Sequence, residues 1–234
     1  MVREMDIQFF LKQRANLIRY FYSESVKPFE EIQQKIEARA SPFDDPSFGC
    51  EGPEPPFLEE WMNAATGIDL VGLSCVSLLS DALKLYFNTL QRRVIGFSFD
   101  SHDKQLAKSE GFVALYKKLL GKIFNSDWRE SGVSFDVIEQ IVLARNRGQH
   151  GVDLTSYHVT HDPQTLRKFS SPFFASEWEV KEWEEAGGRE DSYFAPSLKV
   201  TRNALFDAIF EIEKLADWIE QNMDRAAAWR HSQR

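Results

Sequence analysis

The sequence has few of the residues that build disulfide scaffolds and metal clusters. Its 234 residues include two cysteines, Cys50 and Cys75, which show neither Cys-x-x-Cys nor metal-like spacing. So small a number fits a reducing cytosol and argues against a disulfide-stapled fold. The chain also lacks a glycine-rich phosphate loop, a Gly-x-Ser-x-Gly elbow and an HExxH helix. The best-known signatures of nucleotide binding, serine hydrolysis and zinc proteolysis are therefore missing.

Positive charge and long apolar runs are also limited. Lys and Arg number 28 against 36 Asp and Glu, for a net charge of −8. This balance argues against non-specific nucleic-acid binding through a wholly basic surface, although a local basic site is compatible with it. The most apolar segment, residues 68–87, contains Asp69, Asp81 and Lys84, which argues against a membrane span. Residues 1–6 include charged side chains where a signal peptide needs an apolar stretch. We therefore expect a cytoplasmic protein with no membrane partner.

What the sequence does contain is helical periodicity and many aromatic residues, including 19 Phe and 6 Trp. Apolar side chains recur every three or four residues in several long stretches, which is typical of amphipathic helices. No parallel-sheet pattern or internal repeat accompanies them. The pattern predicts one all-α domain over 1–234, a helical bundle of four or five long helices. The predicted helices cover 5–26, 29–38, 57–94, 109–124 (capped by Ser109), 134 to about 149, and 200–223.

The regions between these helices are rich in turn residues. Residues 40–56 contain five prolines and two glycines and are predicted to be a Pro-rich loop. Residues 152–198 form a loop-rich insertion before the last helix. There, Gly187-Gly188 allows a small β-hairpin between Glu177–Trp183 and Ser192–Ala195. Residues 224–234 are expected to be a frayed tail.

The most concentrated polar chemistry lies at the end of the helix that begins near Ser134. Its apolar face runs into Arg145, Asn146, Arg147 and His150. Histidine titrates near neutrality and can move a proton, and arginine grips phosphate through a planar fork. Metal-independent RNA cleavage needs both: a proton acceptor or donor for the 2′-hydroxyl and the 5′-oxygen, and positive charge on the phosphate. These four residues are the candidate site.

The spacing within this segment needs a local adjustment. Residues five apart on a regular helix are separated by about 140° and do not share a face. Gly148 lies between Arg145 and His150, and its weak helix propensity would let the helix end or loosen there. His150 would then turn back towards Arg145.

An arginine, a polar follower and a histidine after four intervening residues resemble the signature of HEPN domains. Here these residues are Arg145, Asn146 and His150, with Gly151 after the histidine. The resemblance implies a helical bundle that acts as a metal-independent endoribonuclease. It implies Arg145 as the phosphate-stabilising residue, His150 as general acid/base and Asn146 as the orienting group. Arg147 lies outside the motif and is expected to contact the substrate at the rim.

The same resemblance implies the setting of the reaction. It implies RNA as the substrate, no metal or other cofactor, and a homodimer in which two motifs form one composite site. The context implied is stress response or defence, such as toxin–antitoxin or abortive-infection systems, with an antitoxin protein as a further partner. The insertion at 152–198 exceeds the core pattern of the family.

Three other interpretations remain open from the sequence. The chain could be a non-catalytic HEPN-like module that binds nucleotide, nucleic acid or a protein. It could instead be a dimerisation protein, since Arg and His near a helix C-terminus are favoured by the helix dipole alone. His158 and His161, with nearby acidic residues, lack enough convergent ligands for a metal site and could line the mouth of the candidate site.

Overall fold

The computed structural model describes residues 6–44, 54–149, 159–188 and 195–233, and helices connected by turns dominate these residues. The predicted all-α class is confirmed. In chain order the helices are α1 (Ile7–Ser25), α2 (Lys27–Glu37), α3 (Leu58–Thr89), α4 (Ser101–Ser109), α5 (Gly111–Phe124), α6 (Phe135–Gln149), α7 (Pro163–Lys168), α8 (Glu177–Glu185), α9 (Arg202–Gln221) and α10 (Met223–Ser232). The four longest are α1, α3, α6 and α9, and shorter helices surround them.

Helix α3 is the centre of the molecule. Its apolar residues occur on more than one side, and it packs against α1, α2, α6 and α9. Cys75, Val76, Leu79 and Leu83 are completely buried in it. Leu90–Ile95 extend it by a π-helical turn that ends at Gly96 in the left-handed conformation. Within the described residues, only the helix at 58–95 is long and apolar enough to cross a membrane by length and composition, and half of its most apolar window is buried inside the bundle.

Two glycines let other elements approach α3 closely. A methyl group on Gly72 would lie 2.7 Å from the carbonyl oxygen of Val200, and one on Gly67 would lie 2.5 Å from the Phe29 ring. Both distances are below van der Waals contact. The interior glycines of α3 therefore mark close crossings.

The region before α5 differs from the prediction. Residues 101–108, which lie between the predicted helices at 57–94 and 109–124, belong to α4, and Asp100 and Asp103 cap it reciprocally in a capping box. Ser109 is the last residue of α4 and does not cap α5. Gly111, with φ of +89°, allows the chain to turn between the two helices.

The insertion before α9 is more helical than expected. The predicted hairpin strand at Glu177–Trp183 is wrong, because these residues form α8, with Val180 and Trp183 buried one helical turn apart and Trp178 exposed. Glu177 and Glu179 lie in the first turn, where the helix dipole favours acidic residues. The second predicted strand lies mostly outside the described residues. An isolated antiparallel bridge joins Thr160 to Ser197.

The C-terminal residues 223–232 are not a frayed tail but form α10, which packs against α5. Ala226 is buried. Arg225 donates to the carbonyl oxygen of Phe124 at 3.4 Å, and Arg230 donates to that of Val94 at 3.1 Å. Both arginines donate hydrogen bonds to carbonyl groups at the ends of other helices. These hydrogen bonds hold α10 against the bundle.

Candidate functional site

Helix α6 carries the polar segment and is held at both its start and its middle. Ser134, near which the helix was expected to begin, caps it by accepting from the Val137 amide at 3.4 Å. The Ser134 amide itself donates to Glu211 of α9 at 2.8 Å. Further along, buried Gln140 accepts a hydrogen bond from the Phe173 amide at 2.7 Å. The end of α6 is thus positioned by α9 and by the insertion.

Arg145 lies beside α3 and is only loosely engaged. Its Nη2 is 3.7 Å from Oδ1 of Asp81, and the two side chains are 30% and 54% exposed. Its Nη1 donates to the side-chain oxygen of Asn146 at 3.3 Å. An ion pair of this length between solvated groups contributes about 0–1 kcal/mol. The guanidinium of Arg145 is therefore oriented by weak contacts that an anionic ligand can replace.

Arg147 points in another direction and is held more firmly. Its Nε donates to the carbonyl oxygen of Thr160 at 2.7 Å, and its Nη2 lies 3.4 Å from the Thr160 hydroxyl. Thr160 belongs to the segment that pairs with Ser197. Arg147 consequently fastens the start of the described insertion to the end of α6. Any contact with a substrate would be additional to this structural role.

A surface groove opens beside Asn146 and Arg147. It has a volume of about 540 Å³ and lies between α5, α6 and α7. Lys168 and Glu139 form an ion pair of 2.5 Å across it. Its other lining residues are Ser109, Glu110, Gly111, Leu143, Asp162, Gln164 and Thr165. The groove carries both signs of charge in similar amounts, so it has no strongly basic character.

The local adjustment predicted at Gly148 is not observed. Helix α6 continues without interruption through Gly148 to Gln149. A methyl group on Gly148 would lie 3.4 Å from Cδ2 of Leu73, so the glycine also fits an ordinary helical packing position against α3. His150 and Gly151 lie outside the described residues, and the approach of His150 to Arg145 stays a prediction.

His161, one of the two histidines considered for a metal site, is buried beneath the insertion. It is 6% exposed, and its Nε2 donates to the carbonyl oxygen of Phe174 at 2.9 Å. Burial lowers the pKa of His161 and outweighs the carbonyl contact, which raises it. His161 thus does not line the mouth of the site. His158 lies outside the described residues, and within the described part no three His, Cys, Asp or Glu side chains are grouped to hold a metal.

Sequence reasoning did not identify Asp81 as a neighbour of the site. In the sequence Asp81 argues against a membrane span, and in the structure it occupies an exposed position in an otherwise apolar helix. A charge at such a position indicated an accessible face of α3. Its contact with Arg145 depends on how α6 packs across α3, which the local pattern does not contain.

Comparisons of the chain with protein-family models, with curated proteins and with solved structures found no match.

Proposed function

We propose that the protein is a metal-independent endoribonuclease of the HEPN type. Arg145, Asn146 and His150 would form its catalytic group, and Arg147 would contact the substrate at the rim. In this reaction the 2′-hydroxyl oxygen attacks the neighbouring phosphorus and the bond to the 5′-oxygen breaks. The products are a 2′,3′-cyclic phosphate and a 5′-hydroxyl end. The proposal places this activity in a cytoplasmic homodimer that serves stress response or defence.

The observation that carries the proposal is the position and loose engagement of Arg145. Its guanidinium lies at the accessible end of an interior helix, 3.7 Å from an exposed carboxylate. Asn146 contacts the same guanidinium at 3.3 Å, which agrees with an orienting role. A phosphate group can displace Asp81 at small cost, because a pair of this kind contributes about 0–1 kcal/mol. Arg145 would then stabilise the charge that grows on the phosphate oxygens in the transition state.

The proton transfers are assigned to His150. As general base it would remove the proton of the 2′-hydroxyl, and as general acid it would protonate the departing 5′-oxygen. One histidine cannot be in both protonation states at the same moment. The composite site solves this difficulty, since two subunits would supply two copies of His150.

The test is cleavage of single-stranded RNA by the purified full-length chain in EDTA. We expect cyclic-phosphate products, and no cleavage of the same strand with deoxyribose at the scissile position. Arg145→Ala and His150→Ala should each abolish cleavage while the circular dichroism spectrum is retained. Arg129→Ala is the matched control, because Arg129 is 90% exposed near the start of α6. Arg129 precedes α6, and Arg145 lies ten residues beyond Phe135, the first residue of that helix, which corresponds to about 15 Å along its axis.

Two outcomes would contradict the proposal. Cleavage that is equal in wild type and in both variants would come from another nuclease or another site. RNA binding without cleavage under any condition would favour the alternative, a non-catalytic HEPN-like module that binds nucleotide, nucleic acid or a partner protein.

A further inference from the structure

Helices α1 and α3 share an apolar face that is open to solvent. It consists of Phe10, Leu17 and Phe21 on α1 and Leu78 and Leu85 on α3, and we call it the α1–α3 face. These five side chains are between 43% and 65% exposed. Two shallow grooves of about 230 and 250 Å³ run between them, floored by residues such as Ile18 and Ala82.

The apolar surface on this face is comparable both to the largest apolar patch of a typical monomer and to one side of a homodimer interface. The two Phe side chains present roughly 200 Å² each and the three smaller Leu side chains somewhat less, so five that are about half exposed give on the order of 400–500 Å². A typical monomer has a largest apolar patch of about 300–600 Å². A stable interface buries about 800 Å² per partner, of which about 65% is apolar in homodimers. The α1–α3 face thus supplies close to the apolar area that one side of a homodimer needs.

The charges on this face suit a second copy of the same surface. Arg14 is exposed between Phe10 and Leu17, and Asp81 is exposed between Leu78 and Leu85. In a two-fold interface, if a residue at position i of one copy contacts position j of the other, then position j of the first copy also contacts position i of the second. A face with one cation and one anion can pair with a second copy of itself. A partner that carries a strong charge of one sign would repel either Arg14 or Asp81.

We propose that the α1–α3 face is the interface through which two copies of this chain associate. The inference extends the proposed function, on which its catalytic consequence rests. Asp81 is exposed next to Leu78 and Leu85 on α3 and borders the face, and Nη2 of Arg145 lies 3.7 Å from Oδ1 of Asp81. Association through the face therefore brings Arg145 of each copy to the edge of the interface, where a composite site would form.

The experiment is analytical ultracentrifugation of the full chain over a dilution series, with Leu78→Glu and Leu85→Glu. Both residues are exposed, so the folded monomer should keep its helical spectrum and melting temperature. Each substitution occurs twice in a two-fold dimer and places a charge against apolar surface, so the dimer Kd should rise about a hundredfold or more. Phe210→Glu is the matched control, because Phe210 is equally exposed on α9 but outside the face. It should dimerise like the wild type.

Two results would overturn the interface. Wild-type protein that stays monomeric at high concentration means that another partner, or none, covers the face. A dimer that persists unchanged in both Glu variants means that copies associate through a different surface. The activity assay separates these failures from failure of the proposed function. A dimer without RNase activity would support the interface and contradict the proposed nuclease. Cleavage by a strictly monomeric chain would support the nuclease and contradict the interface.

Discussion

Of the two arginines of α6, we expect that replacing Arg147 lowers mainly the stability of the protein and that replacing Arg145 lowers mainly its activity. Arg147 makes two hydrogen bonds from a charged group to Thr160, at 2.7 and 3.4 Å. Hydrogen bonds of this kind contribute about 1.5–3 kcal/mol, so we expect Arg147→Ala to lower the free energy of unfolding by about that amount. For a chain of this size the melting temperature should fall by about 3–12 °C.

Arg145→Ala should behave in the opposite way. The lost pair with Asp81 spans 3.7 Å between solvated side chains and contributes about 0–1 kcal/mol, so the melting temperature should change by less than about 4 °C. RNA cleavage should disappear. Arg147→Ala, assayed well below its melting temperature, should retain cleavage with at most a raised KM.

The two assays are urea denaturation followed by circular dichroism and RNA cleavage in EDTA. Arg145→Lys is a useful additional variant, because it keeps the charge but loses the planar fork. Thr160→Val removes only the longer contact to Arg147 and should cost less than Arg147→Ala. The assignment of roles would be refuted if Arg145→Ala destabilised the protein more than Arg147→Ala, or if cleavage depended on Arg147 and not on Arg145.

Three further predictions concern stability. Gly72→Ala should destabilise the protein by about 1–3 kcal/mol in urea titrations, because its methyl group would lie 2.7 Å from the Val200 carbonyl oxygen; an unchanged midpoint would contradict this crossing. Gly148→Ala should instead stabilise by up to about 1 kcal/mol, since its methyl group would meet Leu73 at ordinary contact distance; destabilisation would indicate that the helix does not pass straight through this position. His161 has a lowered pKa in the folded state, so below pH 6.5 the unfolded chain takes up the proton first and stability falls as the pH drops. Wild type should therefore lose more stability between pH 7 and 5 than His161→Gln, and equal losses would exclude His161 as the cause.

Much of the helical architecture could be predicted because each long helix carries its own apolar stripe. Leu11, Ala15, Ile18 and Tyr22 are buried along α1, and Leu205, Ala208, Ile209 and Ile212 are buried along α9. The predictions that were wrong concern short segments, in which the apolar pattern spans few residues. In α8 a nine-residue segment with Trp178 and Val180 fitted alternation, but the burial of Val180 and Trp183 against the bundle favours a helix. In α10 the stabilising partners are carbonyl groups of other helices, which no local pattern reveals.

The sequence by itself determined that Arg145, Asn146 and Arg147 lie at the end of an amphipathic helix, because periodicity and capping are local properties. It did not determine where these side chains point. Consecutive residues on a helix are turned by about 100° from each other, so each meets a different neighbour. The packing of α6 across α3 placed Arg145 next to Asp81, and the insertion placed Thr160 against Arg147. Only the tertiary structure could decide this, because the groups that hold each arginine come from separate parts of the chain.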